Sequence, residues 1–297
     1  MGSIRLATGP VTWGVDFAQA PGNPPWRHVL DEIAASGLTA LELGPVGYLP
    51  EDPDALRAAL DGRGLSAVGS FVFDDFDDPS RAHAIAEVTR RACRAIAAAG
   101  GDVLVVIDRP GSERAASAGR SGAARRLDGA AWTAMIGAIR RAMAIAEDHG
   151  LRPALHPHAG SFVEFEDEIE RLLDDTDVAL CLDVGHAAYA GIAADQAVVA
   201  YGPRLAHVHL KDVRADVLGR VRSQRLDFWS AIAAGVFCPL GDGVVDLPAV
   251  LGALRGLRYR GYATIEQDRV AGSGTPLDDL AASLRVLAAA GLEDAVR

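Results

Sequence analysis

The chain is poor in several features that would mark it for common roles. Its three cysteines, Cys93, Cys181 and Cys238, include no CxxC pair, and an odd count in 297 residues gives no disulfide framework. They read as small buried hydrophobes of a reducing compartment. Basic residues are also scarce. Against 40 Asp and Glu there are 29 Lys and Arg, a formal net charge of −11. That field repels polyanions, so nucleic acid and anionic membrane surfaces are set aside as partners, while a metal ion or a small neutral or cationic substrate is compatible with it. No apolar run reaches the roughly 20 residues of a membrane span, because Arg, Asp and Glu interrupt the Ala-rich stretches. The opening MGSIRLATGPVTWG has no basic segment followed by an apolar core. No signal peptide is read there, and a cytoplasmic location is expected. No GxGxxG follows the first apolar run, which weakens the case for a dinucleotide-binding open sheet.

What is present is abundant apolar sequence, 49% of residues, enough for a large core. Short strand-like runs alternate with Ala-rich segments of helical period, the pattern of parallel β/α architecture. The strand candidates are Ile4–Ala7, Ala40–Leu43, Ser66–Phe73, Val103–Ile107, Pro153–His156, Val178–Leu182, Leu205–Leu210 and Ala263–Glu266. Helices are predicted near Pro25–Ser36, Pro53–Arg63, Pro79–Ala99, Ala130–His149, Phe165–Leu173, Ala193–Ala200, Phe228–Ala233 and Leu277–Ala289. Prolines open the first three, where a missing N–H costs nothing. Eight strands alternating with eight helices, over a length typical of such folds, predict a closed (β/α)8 TIM barrel as one domain, 1–297. Two stretches exceed the minimal repeat. Arg109–Arg126 reads as a long Arg-rich loop, and Val213–Gly243 as an excursion containing one short helix. Each follows a strand, which puts both on the catalytic face of a barrel.

The polar residues fall at the strand ends. The fifth candidate breaks into Leu155-His156-Pro157-His158, the sixth ends Leu182-Asp183-Val184-Gly185-His186, the seventh reads His207-Val208-His209-Leu210-Lys211-Asp212, and the eighth ends Ile265-Glu266-Gln267-Asp268. Four consecutive strands thus aim His156, Asp183, His209 and Glu266 at one rim. Two imidazoles with two carboxylates suit Mn²⁺, Co²⁺, Fe²⁺ or Zn²⁺ better than Mg²⁺ or Ca²⁺. The plain alternative is that each His is a hydrogen-bonded structural residue and Asp183 only caps a helix. Four such groups together would then bury converging charge without compensation. Side chains two apart on a strand share a face, so His158 and Lys211 should point with the ligands. They join His186 and Glu42 as catalytic candidates. Trp13, Phe73 and Asp212 are read as touching the substrate, although Lys211 and Asp212 could instead pair with each other. His207 is expected inside the barrel in a supporting role.

These motifs resemble the xylose isomerase-like barrel superfamily, and within it the inosose dehydratases. The likeness is carried by Pro10-Val11-Thr12-Trp13-Gly14, Leu41-Glu42-Leu43-Gly44, Ala146–Leu151, Leu155–Gly160, Leu182–His186, His207–Arg214 and Gly235–Gly243, the last being GVFCPLGDG. It implies a metal-dependent lyase, Mn²⁺ favoured, that removes water from a small polyhydroxylated ketone through an enediolate. Many isomerases and epimerases of the superfamily resemble this chain but carry Glu where His156 stands. That difference favours one-face elimination over chemistry with a carboxylate on each face, and isomerisation remains the alternative. The segment Gly69–Phe76 and the Arg-rich loop depart from the likeness, and both would contact substrate. Abasic-site endonucleases share the fold and the Asp183-x-x-His186 spacing, but need more early-strand ligands and a basic surface. A metal-free sugar-binding barrel would need decayed ligands, and these are intact. A homo-oligomer is left open.

Overall fold

The computed structural model describes residues 4–292. Eight parallel strands close in the order β1 (Arg5–Thr8), β10 (Tyr262–Ile265), β7 (Leu205–Leu210), β6 (Leu180–Asp183), β5 (Arg152–Leu155), β4 (Val103–Asp108), β3 (Ser66–Asp74) and β2 (Ala40–Glu42). The remaining two strands, β8 (Asp212–Val213) and β9 (Phe237–Cys238), pair antiparallel as a small ribbon on the rim. The predicted strands all form, with ends shifted by at most two residues. His156 lies one residue beyond β5, yet its backbone N–H still bonds Val106 O at 2.9 Å.

Burial on both faces explains why β4 is an unbroken apolar run. Leu104 and Val106 face the outer helices, while Val103, Val105 and Ile107 pack inside the barrel with Phe71, Ala154 and Cys181. On β7 the same alternation sends Val208 and Leu210 outward. It leaves His207 and His209 inside, where only hydrogen bonding makes their burial tolerable.

The helices are α1 (Trp26–Ala35), α2 (Pro53–Asp61), α3 (Ala82–Ala98), α4 (Ser112–Ala115), α5 (Gly129–Asp148) and α6 (Glu166–Asp175). They continue with α7 (Val184–Ala190), α8 (Ala194–Tyr201), α9 (Ala215–Gln224), α10 (Phe228–Ala233), α11 (Leu247–Gly256) and α12 (Pro276–Ala289). The expectation that Phe228–Ala233 is the seventh outer helix is corrected: α11 fills that place against α8, and α10 lies over the barrel mouth. Helices α9 and α11 escaped the sequence pattern. Asp246 caps α11 by accepting from Ala249 N–H, and Pro248 stands in its first turn, both ordinary start signals.

The Arg-rich loop is not a loose flap. Arg114 is fully buried and reaches Glu168 at 3.0 Å and Glu164 at 3.4 Å, while Gly119 N–H donates to Glu164 at 2.6 Å. Arg109 pairs with Asp75 and Arg126 with Asp167. The arginines are consumed holding the loop to the β/α units on either side of it. Among the described residues no helix is long and apolar enough to cross a membrane.

Candidate active site

Inward positions recur at every second residue of β5, β6, β7 and β10, and they stack into three tiers along the barrel axis. At the bottom, Glu42 Oε1 accepts from Thr264 Oγ at 2.6 Å and from His207 Nε2 and His209 Nε2, each at 2.9 Å. Burial opposes the Glu42 charge, but His209 and His207 override it and hold the carboxyl well below the usual range. An anionic Glu42 fixes His209 as an Nε2 donor and turns its Nδ1 toward the next tier.

The middle tier holds His156, Asp183, His209 and Glu266. Asp183 does cap α7: its Oδ1 accepts from Gly185 and His186 N–H, both at 2.8 Å. Its Oδ2 is buried without a well-aligned hydrogen bond, 3.2 Å from the Lys211 ammonium, 3.7 Å from His156 Nε2 and 3.8 Å from His209 Nδ1. His156 Nδ1 donates to Pro157 O at 2.7 Å, which leaves Nε2 as a bare lone pair. His209 Nδ1 also lacks a hydrogen-bond partner and stands 3.2 Å from Glu266 Oε2. Ligand atoms of His156, Asp183 and His209 all lie within 4.8 Å of one another. Orphaned nitrogen and carboxylate oxygen atoms converging in a dry interior fit a divalent cation, and the mixed donor set suits a borderline one.

The top tier is His158, His186, Lys211 and Asp268. Lys211 Nζ lies 2.6 Å from Asp268, 3.2 Å from Asp183 and 3.3 Å from Glu266. Burial disfavours its charge, but Asp183, Asp268 and Glu266 overcome that and push its pKa above the ordinary lysine value. The ammonium can approach so closely because position 185 is glycine: a Cβ there would sit 2.6 Å from Lys211 Cβ. His186 Nδ1 accepts from Ala159 N–H at 3.2 Å, so its Nε2 carries the proton and faces Asp268 Oδ2 at 3.4 Å. His158 Nδ1 donates to Ala159 O at 2.9 Å, leaving Nε2 free. Burial, then His186 and His156, lower the His158 pKa well below the usual histidine value, so the ring is neutral.

A cleft opens above these groups, with His156, His158, Lys211, Glu266 and Asp268 on its polar side and Phe73 on its apolar side. Sequence reasoning missed two members. Asp268 was findable, since it stands two residues beyond Glu266, the spacing that singled out His158 and Lys211. Asp16 also lines the cavity, and burial and Asp268 push its carboxyl up to about 7 against the pull of Lys211. It sits in an irregular segment after β1, where no periodicity points to it.

Several expected residues lie elsewhere. Trp13 is buried, and its indole N–H donates to Glu32 of α1. Glu42 stays in the bottom tier beneath the cavity. Lys211 pairs with Asp268 and not with Asp212. Asp212 is fully buried, and its carboxylate accepts from the backbone N–H of Val213, Gly241, Gly243 and Val245. This explains the GDG signature: a Cβ on Gly243 would sit 2.2 Å from Asp212 Oδ1. Asp212 therefore braces the rim loop. Asp212→Ala is expected to lower unfolding free energy by about 2–4 kcal/mol, read by urea titration, because four N–H donors lose their acceptor. An unchanged urea midpoint with a raised KM would make Asp212 a substrate contact instead.

The family model for the xylose isomerase-like TIM barrel matches residues 30–290. The chain belongs to this family. It is 32% identical over 272 residues to an inosose dehydratase of Geobacillus kaustophilus strain HTA426, covering 90% of this chain and 88% of that one. Among solved structures, the probable 3-DHS dehydratase AsbF of Bacillus anthracis superimposes with a TM-score of 0.72 at 15% identity, covering 96% of this chain and 99% of that one. The IolI protein with a bound zinc atom superimposes with a TM-score of 0.69 at 15% identity, covering 97% and 98%. At such identities the two structures speak to the fold alone.

Proposed function

We propose that the protein is a metal-dependent hydro-lyase that removes water from a keto-inositol or a closely related keto-sugar. One observation carries this reading: donor atoms of His156, Asp183 and His209 converge within 4.8 Å of one another beside Glu266, beneath a neutral His158 and a cationic Lys211. The relationship to an inosose dehydratase over most of the chain supports the choice of substrate. A divalent ion, Mn²⁺ by preference, would be held by His156, Asp183, His209 and Glu266, and would act as a Lewis acid toward the ketone and its neighbouring hydroxyl.

The chain's own groups divide the proton work. His158 Nε2, neutral and facing the cavity, takes the proton α to the carbonyl, and the C–H electron pair passes into the enediolate. Collapse of the enediolate expels the β-hydroxyl. The Lys211 ammonium donates a proton to that oxygen, which leaves as water. Asp268 keeps the ammonium in place, and Glu42 orients His209 from below.

Protein reconstituted with Mn²⁺, Co²⁺ or Zn²⁺ is expected to hold about one ion per chain and to convert an inosose to a product one water lighter, read by mass spectrometry. A product of unchanged mass and altered configuration would move the enzyme to the epimerases. A protein that stays metal-free and inert with all three ions would overturn the proposal.

A further inference from the structure

The ionisable side chains of the cavity all lie at its metal-binding end. The rest of the lining is mainly Phe71 and Phe73 of β3, Ile107 of β4, and Phe228, Trp229 and Ile232 of α10, where the Trp229 indole N–H is the one polar group. At the mouth, the ring of Phe17 stands 5.6 Å from Phe73 and 6.1 Å from Trp229, so three separate segments close an aromatic rim. A single aromatic wall is compatible with a fully hydroxylated ring, since a sugar can lay its C–H face on it and keep its edge hydroxyls in water. Here the rings come from β3, α10 and Phe17, and neighbouring rings are turned 86° to each other on β3 and 68° on α10, so no single flat face is offered. Edge hydroxyls turned away from the metal end would therefore meet rings and lose their hydrogen bonds.

We infer that the substrate carries an apolar patch opposite its keto-diol end, with a methyl ether or a deoxy carbon replacing at least one ring hydroxyl. This rests on the keto-polyol reading above and narrows it. A methyl-sized group in an apolar pocket is worth about 10–200-fold in specificity.

The test compares kcat/KM of the metal-loaded enzyme for 2-keto-myo-inositol and for its mono-O-methyl and monodeoxy counterparts at each ring position. At least one substituted compound should be preferred by about 10-fold or more. Trp229→Asn and Phe73→Asn, which lie outside the proton-transfer groups, should bring that ratio close to one. Equal use of all compounds, or preference for the fully hydroxylated one, overturns the inference. Calorimetric titration with unreactive myo-inositol and its mono-O-methyl ethers separates the two claims. Tighter binding of an ether without any dehydration sinks the lyase and keeps the apolar patch. Dehydration of inosose with weaker binding of every ether does the reverse, and no binding by any ether overturns the apolar patch.

Discussion

Asp183→Asn is expected to abolish metal retention and turnover while leaving the barrel folded. The two oxygens of Asp183 do separate jobs. Oδ1 caps α7 through two backbone N–H groups, and an asparagine carbonyl can keep both of those bonds. Oδ2 is the buried atom facing His156 and His209, and in the variant an NH₂ donor takes its place. An amide nitrogen offers no lone pair to a cation. Metal content should fall from about one ion per chain to near zero, and kcat/KM by at least about 10³-fold, since Lewis-acid stabilisation worth several kcal/mol is lost. Glu266→Gln should act in the same direction. Elemental analysis of the dialysed protein checks the first claim and circular dichroism the fold. A variant that keeps its full metal complement shows that the ion, if bound, sits elsewhere.

The legible part of the sequence was periodic. Strand alternation places His207, His209 and Lys211 on one inner face and Thr264, Glu266 and Asp268 on another, so the tiers follow from counting by twos. What escaped was tertiary. Glu42 looks like an isolated carboxylate on an apolar strand, and only barrel closure brings it to His207, His209 and Thr264. Asp212 shares its segment with Lys211, yet β8 turns out of the barrel and carries it under the rim loop. Trp13 occupies a rim motif, but a short 3₁₀ turn over Pro10–Trp13 buries its ring against α1. On composition the stretch Arg109–Arg126 reads only as a long Arg-rich loop. The carboxylates that consume its arginines lie up to 54 residues away, beyond the reach of any local pattern.

Lys211→Met is expected to cost kcat about 10²–10⁴-fold with the metal still bound and KM little changed. The ammonium sits among Asp183, Glu266 and Asp268, and those carboxylates keep it protonated beyond the ordinary lysine range. It can therefore donate to a departing hydroxyl throughout neutral pH, and the wild-type rate should show no alkaline fall from its titration near neutrality. The acid limb belongs to His158, whose pKa lies below the usual histidine value of about 6.5. As a base it works deprotonated, so kcat/KM should fall only as pH drops through that lowered pKa. Removing the ammonium also frees Asp183 and Glu266 from a competing cation, and metal affinity in Lys211→Met should hold or rise. Methionine keeps the unbranched stem, so the packing of Cβ and Cγ beside Gly185 survives and the fold is not the variable. Should the variant lose affinity for substrate with kcat intact, Lys211 is a binding group. The proton for the leaving hydroxyl would then have to come from His186 or from Asp16, whose carboxyl titrates near 7.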